Sequence, residues 1–239
     1  MVTYSGGVDS SLLSYACLQA IPDGTIGFMA DIPYLSMRQR TRAFSTAEAM
    51  GLPLLLHPFQ WDEMKTAHHN DDSRCYHCKD LMYYHARETG RDLGIVNILD
   101  GENADDREES RPGRRAATAH GIISPLRKLG FQRQDVEKLV LRFQLPITLE
   151  KETCLATRIS GIVLSEEMLS RVEDAEASIR SVCPLRELRL RLHCGQFTIQ
   201  VRKEEMEVVL KNRELILLSL MGLGIHTASL SLLPYESHR

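Results

Sequence analysis

Short apolar runs alternate with longer amphipathic stretches through the first half of the chain. Val2 to Tyr4 is the first run, and Ser11 to Ala20 follows with Leu13, Ala16, Cys17 and Ala20 at helical spacing. Thr25 to Ala30 predicts a second strand after the turn Pro22-Asp23-Gly24. Ser36 to Met50 predicts a helix, stopped by Gly51 and Pro53. Leu54 to Leu56 is an unbroken apolar run, as expected for a strand of a sheet covered on both faces. His57 to Ser73 is polar and poorly periodic and reads as a loop with a short helix. Tyr76 to Leu93 reads as a helix, Ile95 to Leu99 as a fourth strand, and Arg114 to His120 and Gln134 to Phe143 as further helices. This alternation predicts an α/β fold, a parallel sheet with helices on both faces, whose ligands bind at the C-terminal ends of the strands.

From Pro146 the pattern changes. Ser165 to Cys183 predicts a long helix. Leu188 to His193 and Phe197 to Val201 alternate as strands, with Gly195-Gln196 as their turn. Lys203 to Leu220 reads as one helix or two, and His226 to Leu232 as a last strand. The expected organisation is an α/β domain over 1–145, a connecting segment over 146–164, and a smaller C-terminal α+β domain over 165–239 serving substrate binding or self-association.

Composition narrows the classes. No apolar stretch reaches membrane-spanning length, and the first residues lack a basic region followed by an apolar core. Met1 stands immediately before the first strand, so the expectation is a short strand or a different true start. A net charge of -3 argues against a large nucleic-acid surface. Six irregularly spaced cysteines suggest a reducing, cytoplasmic setting, with thiols available for metal or chemistry.

The first loop, Ser5-Gly6-Gly7-Val8-Asp9-Ser10-Ser11, carries the strongest chemical signal. Its glycines allow a sharp turn and close approach to a ligand, and hydroxyls and N–H groups at a helix N-terminus form an anion site. No Gly-Lys-Ser/Thr follows, so it is not a Walker A loop. The string resembles the PP-loop of ATP pyrophosphatases, which cleave ATP to AMP and pyrophosphate.

Cys75 and Cys78 form a CxxC pair able to grip a metal ion or cluster, or to act as a redox dithiol. His77 and His85 are candidate further ligands or packed histidines. Cys154, close in sequence to Arg158, is a candidate nucleophile, ligand or sulfur source, or a structural cysteine. The structural reading is the default for Cys17, Cys183 and Cys194. Asp100 to Asp106 follows the fourth strand and is either a Mg²⁺ and nucleotide loop or a solvated acidic one. Arg111, Arg114 and Arg115 could face phosphates. Arg189 and Arg191 share one strand face, suited to a phosphate or carboxylates or else solvated.

Taken together these motifs resemble the LarE family of ATP-dependent sulfur transferases of nickel-pincer cofactor synthesis. The resemblance runs nearly end to end: the SGGVDSS loop, R-C-Y-x-C-K at Arg74 to Lys79, D-G-x-N-A-D-D at Asp100 to Asp106, R-P-G-x-R-A-A at Arg111 to Ala117, S-P-L at Ser124 to Leu126, C-L-A-[ST]-R-I at Cys154 to Ile159, the Ala175-Glu176 pair and the Arg189/Arg191 strand. It implies adenylation of a carboxylate of pyridinium-3,5-biscarboxylic acid mononucleotide, then sulfur transfer to give a thiocarboxylate. The sulfur comes from Cys154, which becomes dehydroalanine, or from a [4Fe-4S] cluster held by Cys75, Cys78 and Cys154. Ser5, Gly6, Gly7, Asp9, Ser10 and Ser11 then resemble the ATP-phosphate site. Asp31 and Asn103 lie near nucleotide, with Asp105 and Asp106 near Mg²⁺. Cys154 and Glu176 are the implied catalytic residues, and Arg158, Arg189 and Arg191 the substrate-binding ones. Self-association and other nickel-pincer synthesis proteins are the implied partners.

The sequence departs from the family at Ile159-Ser160-Gly161, where Pro-Tyr-Gly is common, and at Cys194, where a histidine is usual. Cys194 is therefore a candidate further metal or sulfur group. Two rival readings remain: a tRNA thiolase, which also combines a PP-loop with CxxC and a third cysteine, and a non-catalytic iron–sulfur or metal-binding module. The absence of a basic RNA-binding extension weighs against the first, and the intact loop with Asp9 against the second.

Overall fold

A computed structural model describes residues 1–105, 113–150 and 152–235. The chain forms two compact units, Met1–Ala67 with Asp71–Glu152, and His68–Asn70 with Thr153–Arg239.

The first unit is α/β. Strands β1 (Val2–Thr3), β2 (Gly27–Asp31) and β3 (Leu54–Pro58) pair in parallel in that order. Leu99 bridges Val2 on the free side of β1, and Ile123 bridges Leu99, both in parallel. The ladder order is therefore Ile123, Leu99, β1, β2, β3. The chain builds outward from β1 through β3 and then returns to the other side of β1. That reversal makes the gap between β1 and the Leu99 pass a topological switch point, the place where open parallel sheets bind ligands.

Side-chain alternation sorts the layers. Val2 and Tyr4 of the first pass, with Met29 of β2, belong to the cores shared with α1 (Val8–Ala20), α2 (Met37–Met50) and α6 (Arg133–Arg142). Phe28 and His57 lie on the opposite face, where His57 packs on His85 of α3 (Arg74–Asp92). Ser36 caps α2 through a reciprocal capping box with Gln39, and Gly51 ends it in the left-handed conformation.

Several expectations are corrected. Ile95–Leu99 is not a full strand. Ile95 N–H goes to Gly90 O and Val96 O takes the Arg87 guanidinium, so only the chain around Leu99 joins the ladder. β3 is the edge strand, and its Leu56 is exposed where the unbroken apolar run predicts burial. In α1, Ala16 and Ala20 are exposed. The buried stripe is Val8, Leu12 and Leu13, because the helix leaves the core after two turns. Trp61–His69 forms a 3₁₀ segment within the expected loop. Short helices α4 (Gly113–Ala119) and α5 (Pro125–Lys128) precede α6.

The second unit is α+β. Strand β4 (Ile159–Ser160) runs parallel to β5 (Leu188–His193), β5 antiparallel to β6 (Gln196–Val201), and β6 parallel to β7 (Ala228–Leu230). Helix α7 (Glu166–Val182), capped by Ser165, buries Leu169, Val172, Ala175 and Ile179. The expected last helix divides into α8 (Met206–Lys211) and α9 (Arg213–Met221). The hairpin turn is Cys194-Gly195, one residue earlier than expected. Both residues have positive φ, 45° and 81°, as a two-residue primed turn requires, and Gln196 pairs with His193 inside the ladder.

Candidate functional site

The Ser5–Ser11 loop leaves the C-terminal end of β1 and enters α1 at the switch point. Gly6 has φ 71°, and a Cβ there would lie 2.5 Å from the Ala43 Cα on α2, so both conformation and space demand glycine. Gly7 is the N-cap, with no side chain capping the first turn. Ser10 Oγ donates to Gly7 O at 3.1 Å and contacts Ser5 Oγ at 3.1 Å, which sets the two hydroxyls side by side on the loop. An extended N-cap opens a helix of 13 residues, and the first-turn N–H groups and macrodipole of such a terminus favour an anion.

The Asp100–Asp105 chain locks against this loop. A Cβ on Gly101 would sit 2.6 Å from Ser10 N, so only glycine lets the two backbones touch. Asn103 Nδ2 donates to Asp9 Oδ1 at 3.0 Å, and Arg133 Nη1 meets Asp9 Oδ2 at 2.9 Å. Arg133 N donates to Asp105 Oδ2 at 2.9 Å. Asp9 and Asn103, separated by 94 residues in sequence, are thus brought together.

A cleft of about 220 Å³ opens beside the loop, walled by Ser5, Asp9, Ser10, Phe28, Met82 and Tyr83, with Lys79, Asp100 and Glu102 among its polar groups. A more open hollow of about 400 Å³ beside α6 holds none of the loop or strand-end residues. Lys79 Nζ pairs with Glu102 Oε1 at 2.5 Å, and Tyr83 Oη donates to Asp100 Oδ2 at 2.8 Å. Burial pushes the Asp100 carboxyl up. The Ser124 hydrogen bond opposes this, Glu102 reinforces it, and Lys79 and Tyr83 oppose it further.

Lys79, Tyr83 and Arg133 were not anticipated as site residues, whereas Glu102 belongs to the expected Asp100–Asp106 loop. For the first two a signal exists: Cys75, Lys79 and Tyr83 recur every four residues, which places them on one face of a helix. Arg133 had none, since it reaches Asp9 across 124 residues of sequence. Lys79→Met should cost about 2–3 kcal/mol, because Glu102 and Asp100 would keep buried carboxylates without their cation. Adding Glu102→Gln should recover most of that loss. Urea unfolding of the single and double variants measures this, and simple additivity would refute the coupling.

Other expected residues of this unit are placed as follows. Asp31 pairs with Arg40 Nε at 2.5 Å and does not line the cleft. Arg115 stacks over Tyr76 at 5.4 Å. Cys75 and Cys78 lie in the first turn of α3, Cys75 exposed and Cys78 half-buried, with Cys78 Sγ 3.8 Å from Met82 Sδ. His85 is a packed histidine, 4.5 Å from the His57 ring and 5.0 Å from Phe59. Asp106 and Arg111 lie outside the described residues.

The second unit gathers the remaining expected residues. Arg158, 1% exposed, donates through Nε to Glu176 Oε1 at 3.1 Å. Its Nη1 reaches Thr153 Oγ1 at 2.8 Å and Cys154 O at 3.0 Å. The guanidinium therefore holds the backbone of the Cys154 turn. Glu176 also accepts from Leu190 N at 2.9 Å and pairs with Arg180 at 3.3 Å. Burial pushes the Glu176 carboxyl up, but Arg158, Arg180 and the Leu190 N–H together outweigh it and hold the group below the usual carboxylate range.

Arg189 and Arg191 do not face solvent as a bare strand surface would. Arg189 is buried, donates to Leu188 O and stacks over Tyr235 at 4.8 Å. Arg191 donates to Thr157 O at 2.6 Å and Gln200 Oε1 at 3.0 Å. Burial lowers the Arg191 pKa, and the charges of Arg158 and Arg189 lower it further. Such a concentration of guanidinium groups favours an anion.

Cys17 and Cys183 fit the structural reading: burial pushes both thiols up. Cys194 does not, being exposed on the hairpin turn. Among the described residues, no group of three or more His, Cys, Asp or Glu side chains is gathered as a metal site. Cys75 and Cys78 place two thiols on α3.

No protein-family model matches the chain. It is 27% identical to an uncharacterized protein of Synechocystis sp., over 99% of this chain and 90% of that one. It is also 27% identical to an uncharacterized protein of Methanocaldococcus jannaschii, over 100% of this chain and 91% of the relative. The pyridinium-3,5-bisthiocarboxylic acid mononucleotide synthase of Lactiplantibacillus plantarum is 24% identical, over 100% of this chain and 87% of that protein. No helix among the described residues is long and apolar enough to cross a membrane.

Proposed function

We propose that the chain is an ATP-dependent sulfurtransferase that acts on pyridinium-3,5-biscarboxylic acid mononucleotide and forms AMP and pyrophosphate. The observation that carries this reading is the uncapped loop–helix anion site at the sheet's switch point, interlocked with Asp100–Asn103. Full-length similarity to the Lactiplantibacillus plantarum synthase supports the choice of substrate.

In this reading the loop N–H groups and the Ser5 and Ser10 hydroxyls take the ATP phosphates. Asp9 and Asn103 keep the loop in its binding form. Asp105, with Asp106, would hold Mg²⁺, which neutralises phosphate charge when bound. The substrate carboxylate attacks the α-phosphorus, pyrophosphate leaves, and an acyl-adenylate forms. The Cys154 thiolate then attacks the acyl carbon and AMP departs, giving a thioester. Loss of the Cys154 Cα proton breaks the Cβ–S bond and leaves a thiocarboxylate on the substrate and dehydroalanine in the chain. Arg158 and Glu176 fix the Cys154 turn, so Glu176 acts as a positioning residue, and Arg189 and Arg191 attract the substrate's anionic groups. Cys75 and Cys78 with Cys154 are the proposed ligands of a [4Fe-4S] cluster, which would supply the sulfur in the alternative form of the reaction.

Pyrophosphate release with the pyridinium substrate, compared with bulk tRNA, is the test. Release with the mononucleotide alone is expected, and release with tRNA alone would overturn the proposal. Mass spectrometry of Cys154 after one turnover reads loss of the elements of H₂S for the sacrificial route. Iron and acid-labile sulfide in anaerobically purified protein read the cluster route.

A further inference from the structure

Ser160, His193 and Cys194 form a cluster that the reaction above does not use. Ser160 and His193 are partners in the β4–β5 register. Ser160 Oγ lies 3.0 Å from His193 Nδ1, and the other ring nitrogen, Nε2, lies 3.6 Å from Cys194 Sγ. All three residues are exposed. Gly161 keeps the pair open: a Cβ there would come within 3.0 Å of His193 Cε1 and 3.4 Å of Cys194 Sγ. The primed turn fixes the thiol beside the ring of its sequence neighbour, at a φ of 45° that a cysteine rarely adopts.

A thiol within reach of an imidazole, itself oriented by a third group, is the arrangement of an activated nucleophile. We infer that Cys194 is a reactive thiol that attacks the S–S bond of a low-molecular-weight disulfide or persulfide, with His193 as its base and Ser160 as the positioning residue. Nδ1–H donates to Ser160 Oγ, and the Nε2 lone pair takes the Cys194 proton. With a disulfide RSSR, the thiolate forms a Cys194–S–SR bond, the RS–SR bond breaks, and RS⁻ leaves to collect the proton from His193. Cys194 is oxidised and the departing thiol reduced. With a persulfide RSSH, the same attack on the terminal sulfur leaves Cys194–S–SH and RSH. No nucleotide takes part, so the inference stands or falls apart from the ATP reading.

The test treats the reduced full-length chain separately with glutathione disulfide and with glutathione persulfide. Peptide mass spectrometry follows the Cys194 adduct, one glutathione moiety or one sulfur atom, and so distinguishes the two sources. Reaction at Cys194 is expected to be at least about tenfold faster than in His193→Ala or Ser160→Ala, because a positioned base takes the thiol proton as the S–S bond is attacked. Ser160→Thr should keep the native rate, and added imidazole should restore His193→Ala. Equal Cys194 rates in the native chain and His193→Ala would overturn the inference, as would no adduct with either probe. If His193→Ala fails to fold, equal rates for Ser160→Ala and Ser160→Thr would overturn it.

Discussion

Gly6→Ala is expected to reduce pyrophosphate release at least about 100-fold and to destabilise the first unit by about 2–5 kcal/mol. Two costs combine. A left-handed φ of 71° costs a residue with a Cβ about 1–2 kcal/mol. The new methyl also lands 2.5 Å from the Ala43 Cα, and a helix backbone cannot yield as a flexible side chain would, which adds about 1–3 kcal/mol. Any relief by loop movement displaces Ser5 and Gly7 from the anion site, so activity falls further than stability. Gly51→Ala provides the control. Its φ is 66°, yet nothing lies within 4 Å of the added Cβ, so only the conformational cost of about 1–2 kcal/mol applies. Chemical denaturation and pyrophosphate assays on both variants separate the terms. Equal losses would show that the contact with Ala43 is not what fixes the loop.

Glu176→Ala should cost the second unit about 3–5 kcal/mol, the cost of leaving buried charge uncompensated. One carboxylate, with 5% of its side chain exposed, answers Arg158 and Arg180 and accepts the Leu190 N–H within the strand that carries Arg191. Without it, Arg158, Arg189 and Arg191 repel one another with no opposing charge at the centre. Glu176→Gln keeps an acceptor for Leu190 but not the charge, and should fall between native and alanine.

The pH dependence has a definite sign. The folded pKa of Glu176 lies below its unfolded value of about 4.3, so its contribution is fully present above that pH. It is lost as pH falls through the folded value. Acid titration of stability should show this loss in the native chain and lack it in Glu176→Gln. An identical acid limb in both would mean that the carboxylate does not carry the linkage.

Local features were legible along the chain. The Ser5–Ser11 string specified a loop between strand and helix because its glycines and hydroxyls act on their immediate neighbours. The helices expected from Ser36 and from Ser165 begin there because each serine caps its own first turn. Alternation in Leu188–His193 fixed a strand with two arginines on one face. Alternation could not say what covers that face, and the burial of Arg189 follows from tertiary packing. Nor could an apolar run at Ile95–Leu99 show that the end of α3 would occupy its backbone groups.

The sequence by itself determined the α/β alternation, the glycine-rich loop between strand and helix, the CxxC spacing and the change of pattern past Pro146, all set by neighbours within a few residues. The tertiary structure alone decided that Asn103 and Arg133 converge on Asp9, that Lys79 and Tyr83 face buried carboxylates, and that Arg158 and Glu176 hold the Cys154 turn. It also decided that the hairpin turns at Cys194 rather than one residue later. Its register is set by pairs such as Leu192 with Phe197, whose shared burial leaves Cys194 in the turn beside His193. Each of these depends on which distant segment folding places alongside, and such contacts leave no periodic trace in the chain.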